Sequence, residues 1–281
     1  MVAVFLFLFL AGLLLVKVAA YLVRWYEVTG RPETRVPERL LGRLVRLLAG
    51  VPGFLGEYLA TLVVAAIWVL EAPLRWVSRR FAQAPRKPPG TGRPIVLVHG
   101  FFLTPWSRAV LRLRLARLGR PVYLLDYHPW YGDIPGFVDQ LEALVNHLPD
   151  NADDKVDLVA HSMGGLIAAR FVGHHPGRVR RLVAVGTPFH GTRLWAMSVG
   201  ASLARMRPGS PFLNETLDPS RFPGETRVTS IYSRFDQIIL PCESSVLPGE
   251  QTQNMVVDGL GHTALLFSPW AARLVVDAVR D

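Results

Sequence analysis

Apolar positions along the chain fall into two regimes that meet near residue 94. Residues 1–23 read MVAVFLFLFLAGLLLVKVAAYLV, apolar throughout except for Lys17. A helix of that length is enough to span a bilayer core of ~30 Å. A cleaved signal peptide needs a basic start and a small-residue cleavage site, and neither is present, so the run predicts a retained helix. Tyr21, Arg24, Trp25 and Tyr26 follow as an expected interfacial belt. In residues 37–48, Arg39, Arg43 and Arg46 fall on one helical face, with Leu40, Leu44 and Leu47 beside them. Pro37 suits the start of this helix and Gly50 its end. It is either an interfacial amphipathic helix or a surface helix packed on the rest of the chain. Residues 58–70 form a second apolar run between Glu57 and Glu71. It is read as a second span or a re-entrant helix, since extending it through Trp76 would bury Glu71 at a cost of about 3 kcal/mol.

Beyond the Pro/Gly-rich, basic stretch 81–93, which reads as a linker, the pattern changes. Short apolar runs recur at 95–98, 122–125, 156–160, 182–185, 228–232 and 254–257. Helical patterns fall between them at 108–118, 137–148 and 166–172, and a last helix follows His262. Strands alternating with helices predict an α/β fold: a mostly parallel sheet with helices on both faces. The expected organisation is a helical membrane region over 1–80, the linker 81–93 and one α/β domain over 94–281. Within that domain, 189–226 is an insertion. Its residues 194–206 are spaced for one amphipathic helix, either a lid over the site or an ordinary packing helix.

Charge sharpens the division. Of 281 residues 50% are hydrophobic, the mean hydropathy is +0.26 and the net charge is +9. Residues 1–93 hold 13 Lys/Arg and 5 Asp/Glu, whereas 94–281 hold 18 and 17. Basic charge interleaved with long apolar runs points to an anionic membrane surface rather than to nucleic acid. Basic residues flank the 58–70 run equally on both sides, so the positive-inside rule gives no orientation. Cys242, the single cysteine, excludes an internal disulfide.

The candidate chemistry starts at residues 156–188, a strand, sharp turn, helix and strand with a serine at the first bend. Ala160-x-Ser162-x-Gly164 matches the nucleophile-elbow pattern G-x-S-x-G with Ala in the first place. A serine standing clear of a sheet on a strained turn needs small flanking residues, which Ala160, Gly164 and Gly165 supply. The helix N-terminus behind it directs amides toward a developing oxyanion. His99-Gly100 directly follows the first strand, so the amides of Phe101 and Met163 are the expected oxyanion pair, with His99 a structural histidine. Such a serine needs a base and an orienting acid. His262, flanked by Gly261 in the loop after the last strand, is the expected base. Asp236, after the 228–232 strand, is the expected acid. Asp258 and Glu243 are its rivals.

These segments carry a resemblance. VLVHG at 96–100, VDLVAHSMGG at 156–165, TSIYSRFDQII at 229–239 and GLGHTALLFS at 259–268 resemble bacterial triacylglycerol lipases of the α/β-hydrolase superfamily. They are most similar to the minimal lipases with AHSMGG in place of GHSMG. The resemblance covers most of 94–281 and none of 1–93. It implies the α/β-hydrolase fold, the chain order Ser162, Asp236, His262, and acid and base in the last two segments. The 189–226 insertion is longer than minimal lipases carry, and Gly186-Thr-Pro-Phe-His-Gly-Thr192 resembles larger lipases and related acyl hydrolases. The expected protein is a membrane-anchored serine lipase or esterase, integral in the bacterial inner membrane. It acts on lipid or other hydrophobic esters without cofactor or metal. Acyl transfer by the same residues and a catalytically silent scaffold are the alternatives.

Overall fold

The computed structural model describes residues 2–30, 50–80, 90–101, 103, 107, 109–127, 132–149, 154–197 and 200–280, with the side chains of 2–10, 26–30, 68, 71–80 and 197 excepted. The expected helix over 37–48 and most of the linker lie outside them.

Six strands form one parallel sheet in the order β2-β1-β3-β4-β5-β6. They are β1 Ile95–Val98, β2 Val122–Leu125, β3 Val156–His161, β4 Val179–Val185, β5 Arg227–Tyr232 and β6 Thr252–Val256. Side chains alternate between the faces with period two. Val96 and Val98 enter one apolar core, whereas Ile95 and Leu97 enter the other. Burial on both faces explains the unbroken apolar run of β1 and the run from Leu158 to Ala160 in β3, whose Asp157 is buried against Arg120. Helices α4 (Ile134–Asn146) and α5 (Met163–His174) supply the first core. Helices α3 (Ala109–Ala116), α8 (Ala264–Phe267) and α9 (Pro269–Val279) supply the second. Strand order reverses between β1 and β3, and the ends of strands flanking such a switch are where α/β folds place ligands.

Several boundaries move for identifiable reasons. Helix α4 starts earlier than the apolar pattern indicates, because Asp133 Oδ1 accepts from Ile134 N at 2.8 Å and Pro135 sits in the first turn. The single helix predicted over 194–206 is not formed. A 3-10 turn, Arg193–Met197, and a short helix α6, Ala201–Arg205, replace it, with Gly200 at φ 131° before the second. Helix α7 (Pro211–Thr216) completes the insertion. Ser202 Oγ donates to Gly132 O at 2.7 Å, and Arg205 forms a two-pronged pair with Asp133 at 2.5 Å, so α6 is tied to the start of α4.

The N-terminal region is two long helices, α1 (Val2–Gly30) and α2 (Val51–Arg80), which pack on each other and on the loops beyond β5 and β6. Among the described residues no helix is long and apolar enough to cross a membrane. Lys17 Nζ meets Glu57 Oε1 at 2.7 Å, and both side chains are buried. Removing one member of a buried pair of this kind costs about 3–5 kcal/mol. The interfacial belt expected around Tyr21 and Arg24 is corrected here. Tyr21 is buried, its ring 5.4 Å from Phe54 and 5.9 Å from Phe235. Arg24 lies 4.0 Å over the Phe235 ring and donates to Arg234 O at 2.7 Å. Amphipathic aromatic and basic side chains serve an interface or a protein surface equally, and here a ring and a carbonyl of the α/β domain take them. The side chain of Tyr26 lies outside the described set.

Candidate active site

Ser162 sits where β3 gives way to α5. Its backbone has φ 55° and ψ −127°, a conformation that L-residues adopt only when their surroundings impose it. Ser162 N donates to Val185 O at 2.9 Å, and Gly165 N donates to Ser162 O at 2.9 Å. A Cβ at Gly164 would run into the His99 carbonyl oxygen, and one at Gly165 into the Thr187 hydroxyl. The glycines therefore let α5 start hard against the β1 and β4 loops.

Asp236 and His262 arrive from the ends of β5 and β6. His262 Nε2 is 2.9 Å from Ser162 Oγ, and His262 Nδ1 is 2.7 Å from Asp236 Oδ2. All three residues are buried, with Ser162 at 9% exposure the most accessible. The other carboxylate oxygen, Asp236 Oδ1, accepts from Ile238 N at 2.7 Å and Ile239 N at 2.8 Å. One oxygen is thus fixed to backbone while the other faces the imidazole. Ser233 Oγ donates to Leu260 O at 2.5 Å and accepts from Phe235 N at 3.0 Å, tying the two loops together.

The rival acids are elsewhere. Asp258 is half-exposed and holds the Arg234 guanidinium through both oxygens, at 2.9 and 2.5 Å. Glu243 is exposed on the 3-10 turn Cys242–Ser245. Beside it, burial pushes the Cys242 thiol up to about 11, with Glu243 adding to the shift. His99 is a loop fastener. Its ring stacks on Tyr127 at 3.8 Å, its Nδ1 meets Gly100 O at 2.8 Å, and the Tyr127 hydroxyl lies at hydrogen-bonding distance from both the His99 and Gly100 carbonyls. Gly100 lies so close to Ser162 that an added Cβ would come within 2.8 Å of the serine Cβ. Phe101 follows Gly100 in the chain, and Met163 directly follows Ser162. Among the described residues no cluster of His, Cys, Asp and Glu is arranged to hold a metal ion.

Three contributors escaped sequence reasoning. His161 Nε2 donates to the His262 carbonyl at 3.2 Å, supporting the loop from below. Gly186, at φ 57°, leaves room for the histidine–aspartate pair, since a Cβ there would lie 3.2 Å from His262 Nδ1 and 3.5 Å from Asp236 Oδ2. Glu57 Oε2 accepts from Thr263 N at 2.8 Å and Ala264 N at 2.9 Å. For His161 and Gly186 no sequence signal pointed this way. For Glu57 one did: an ionisable side chain in an apolar helix is costly unless it has work to do.

A family model described as alpha/beta hydrolase fold matches residues 93–233. A cis-3-alkyl-4-alkyloxetan-2-one decarboxylase of Shewanella oneidensis is 32% identical over 114 residues, covering 36% of this chain and 35% of that protein. A 2-hydroxy-6-oxo-2,4-heptadienoate hydrolase of Pseudomonas putida is 33% identical over 116 residues, covering 34% of this chain and 38% of that protein. The chain spans little more than a third of these curated relatives. Among solved structures, Aspergillus fumigatus lipase B superposes with a TM-score of 0.59 at 21% identity, covering 67% of this chain and 52% of the lipase. A Paleococcus ferrophilus monoacylglycerol lipase gives 0.53 at 18% identity, covering 67% and 95%. At such identities the likeness establishes the fold.

Proposed function

The chain belongs to the alpha/beta hydrolase fold family, and from that premise we propose that it is a membrane-anchored serine hydrolase cleaving hydrophobic acyl esters. The fold hosts unrelated reactions, as the decarboxylase and hydrolase names of its relatives illustrate. The reading therefore rests on the site. The observation that carries it is the relay from Asp236 Oδ2 through the two imidazole nitrogens to Ser162 Oγ, at 2.7 and 2.9 Å.

In this mechanism His262 Nε2 takes the proton of Ser162 Oγ as the oxygen attacks the ester carbonyl. Asp236 holds the Nδ1–H tautomer and stabilises the imidazolium that forms. The Phe101 and Met163 amides receive the oxyanion, each donor contributing about 3–4 kcal/mol in related chemistry. His262 then protonates the departing alcohol, leaving an acyl-serine. Water, deprotonated by the same histidine, releases the acid and restores Ser162. In this scheme the insertion 189–226 serves as a lid, with α6 beside the start of α4.

Anchoring is supported by the apolar run over residues 1–23 and the basic excess of 1–93. It is also supported by exposed stripes on the described helices: Leu15, Val18 and Leu22 on α1, and Leu55, Leu59 and Val63 on α2. The same surface favours substrates dissolved in a bilayer. Membranes carrying the full chain should hydrolyse p-nitrophenyl esters with a burst of nitrophenol matching the enzyme present, and the protein should resist carbonate extraction. Turnover with no burst under acyl-enzyme-accumulating conditions, or release by carbonate, argues against the mechanism or the anchor respectively.

A further inference from the structure

The N-terminal helices do more than lie beside the α/β domain. Helix α2 runs along the segment 259–264. A Cβ at Gly53 would lie 3.0 Å from Gly259 O, and one at Gly261 would lie 2.5 Å from Glu57 Oε2. Within that contact the Glu57 carboxylate is fully used. Oε1 takes the Lys17 ammonium at 2.7 Å, and Oε2 takes the amides of Thr263 and Ala264, the two residues directly after His262. On the acid side, α1 grips the neighbouring loop through Tyr21 and Arg24 on Phe235, one residue before Asp236, and through Arg24 on Arg234 O.

A buried ion pair is a poor way to join two helices. Its desolvation cost offsets most of the Coulombic gain, and apolar side chains of similar volume do as well or better. Glu57 instead supplies what apolar side chains cannot, an acceptor for two backbone amides at one place in the chain. That place is where a shift of about 1 Å would move His262 Nε2 away from Ser162 Oγ, and misplacement on that scale costs about 10²-fold in rate.

We propose that Lys17 and Glu57 are positioning residues for His262. Glu57 fixes the backbone that carries the imidazole, and Lys17, on Oε1, holds the Glu57 carboxylate turned so that Oε2 meets both amides. The proposal rests on the reading of Ser162 and His262 as nucleophile and base. Its consequence is that a region expected to act only as an anchor sets the geometry of the reaction. Seating of the α1–α2 pair and turnover are then coupled through one carboxylate.

The test uses the full chain in its own membrane fraction. The variants are Glu57→Gln, which keeps the shape, and the pair Lys17→Met and Lys17→Arg. Active enzyme is counted by exhaustive labelling with a fluorophosphonate, and turnover of p-nitrophenyl butyrate is expressed per labelled site. Glu57→Gln and Lys17→Met are expected to lower kcat by about 10–100-fold with KM within twofold and to slow labelling in parallel. Lys17→Arg is expected to restore most of the rate. A kcat per labelled site within twofold of wild type in both Glu57→Gln and Lys17→Met overturns the proposal and reduces the pair to packing. So does a loss in Lys17→Met that Lys17→Arg fails to relieve. Wild-type enzyme that takes no label overturns the serine mechanism itself, and the positioning role with it.

Discussion

The two sides of the Ser162–His262 contact are held in place by different means. Ser162 is placed by its immediate neighbours: a strand ending at His161, a helix starting at Met163, and two glycines that let the β1 and β4 loops approach. His262 sits in a loop after an edge strand and is placed from a distance. His161 takes its carbonyl, Ser233 ties Leu260, and Glu57, some 200 residues earlier in the chain, takes the next two amides. The placing of the proposed nucleophile is thus a property of one βα unit, whereas that of the proposed base is a property of the tertiary fold. A rigid turn suits the strained atom that must attack. A loop held by several separate hydrogen bonds suits a group that must give and take protons at a fixed distance from the serine.

The comparison can be broken most severely at the acid. Asp236→Asn, which leaves the shape but favours the wrong tautomer, should lower kcat by about 10⁴-fold. Asp258→Asn loses only an exposed pair with Arg234 and should stay within about twofold. Paired kinetics on a short ester check the ranking, and the reverse order would move the acid to Asp258.

On the serine side, the expected damage is to folding. Gly165→Val would drive a branched side chain into the Thr187 hydroxyl on β4's exit loop. The cost should be upwards of about 1–3 kcal/mol, read as a fall in thermal midpoint and in recovered protein. A midpoint unchanged from wild type would show that α5 can retreat from the β4 loop. The elbow would then be less rigid than the glycines imply.

This contrast also explains what was legible in the sequence. The sheet, its alternation with helices and the elbow serine are written in short-range patterns: apolar runs of strand length, and small residues at fixed offsets from Ser162. Asp236 and His262 were legible because each follows a strand in a segment resembling lipases. The means of holding them were not: Glu57 stands out as an ionisable group in an apolar helix, but its partners, like those of His161, are contacts that no local period encodes. The insertion shows the limit of periodicity. Apolar spacing over 194–206 fits a helix, but Gly200 and the pairing of Arg205 with Asp133 favour a broken path. Tyr21 and Arg24 show another limit, since one composition fits a membrane interface and a protein surface alike.

The smallest expected effect concerns that insertion. The hydrogen-bonded Arg205 guanidinium holds the Asp133 carboxyl below the usual carboxylate range. A depressed folded-state value means that the pair stabilises the protein above the unfolded carboxylate value of about 4. That contribution is lost as pH falls through the lower folded value. Asp133→Asn keeps the cap on α4 and removes the charge. It should cost less than about 1 kcal/mol at pH 7, because both side chains are partly exposed. The difference from wild type should be smaller at about pH 3 than at pH 7 and should go on shrinking in stronger acid. Thermal midpoints of the two proteins at both pH values check this, and a gap that persists in acid would assign the effect to packing.

The central claim is that Ser162 is an activated nucleophile, and covalent capture tests it most directly. Full-length protein should react with a fluorophosphonate at one site. Peptide mass mapping should place the adduct on the peptide containing Ser162, and Ser162→Ala should take no label while keeping the wild-type thermal midpoint. An adduct on another residue, or equal labelling of folded Ser162→Ala, would contradict the account.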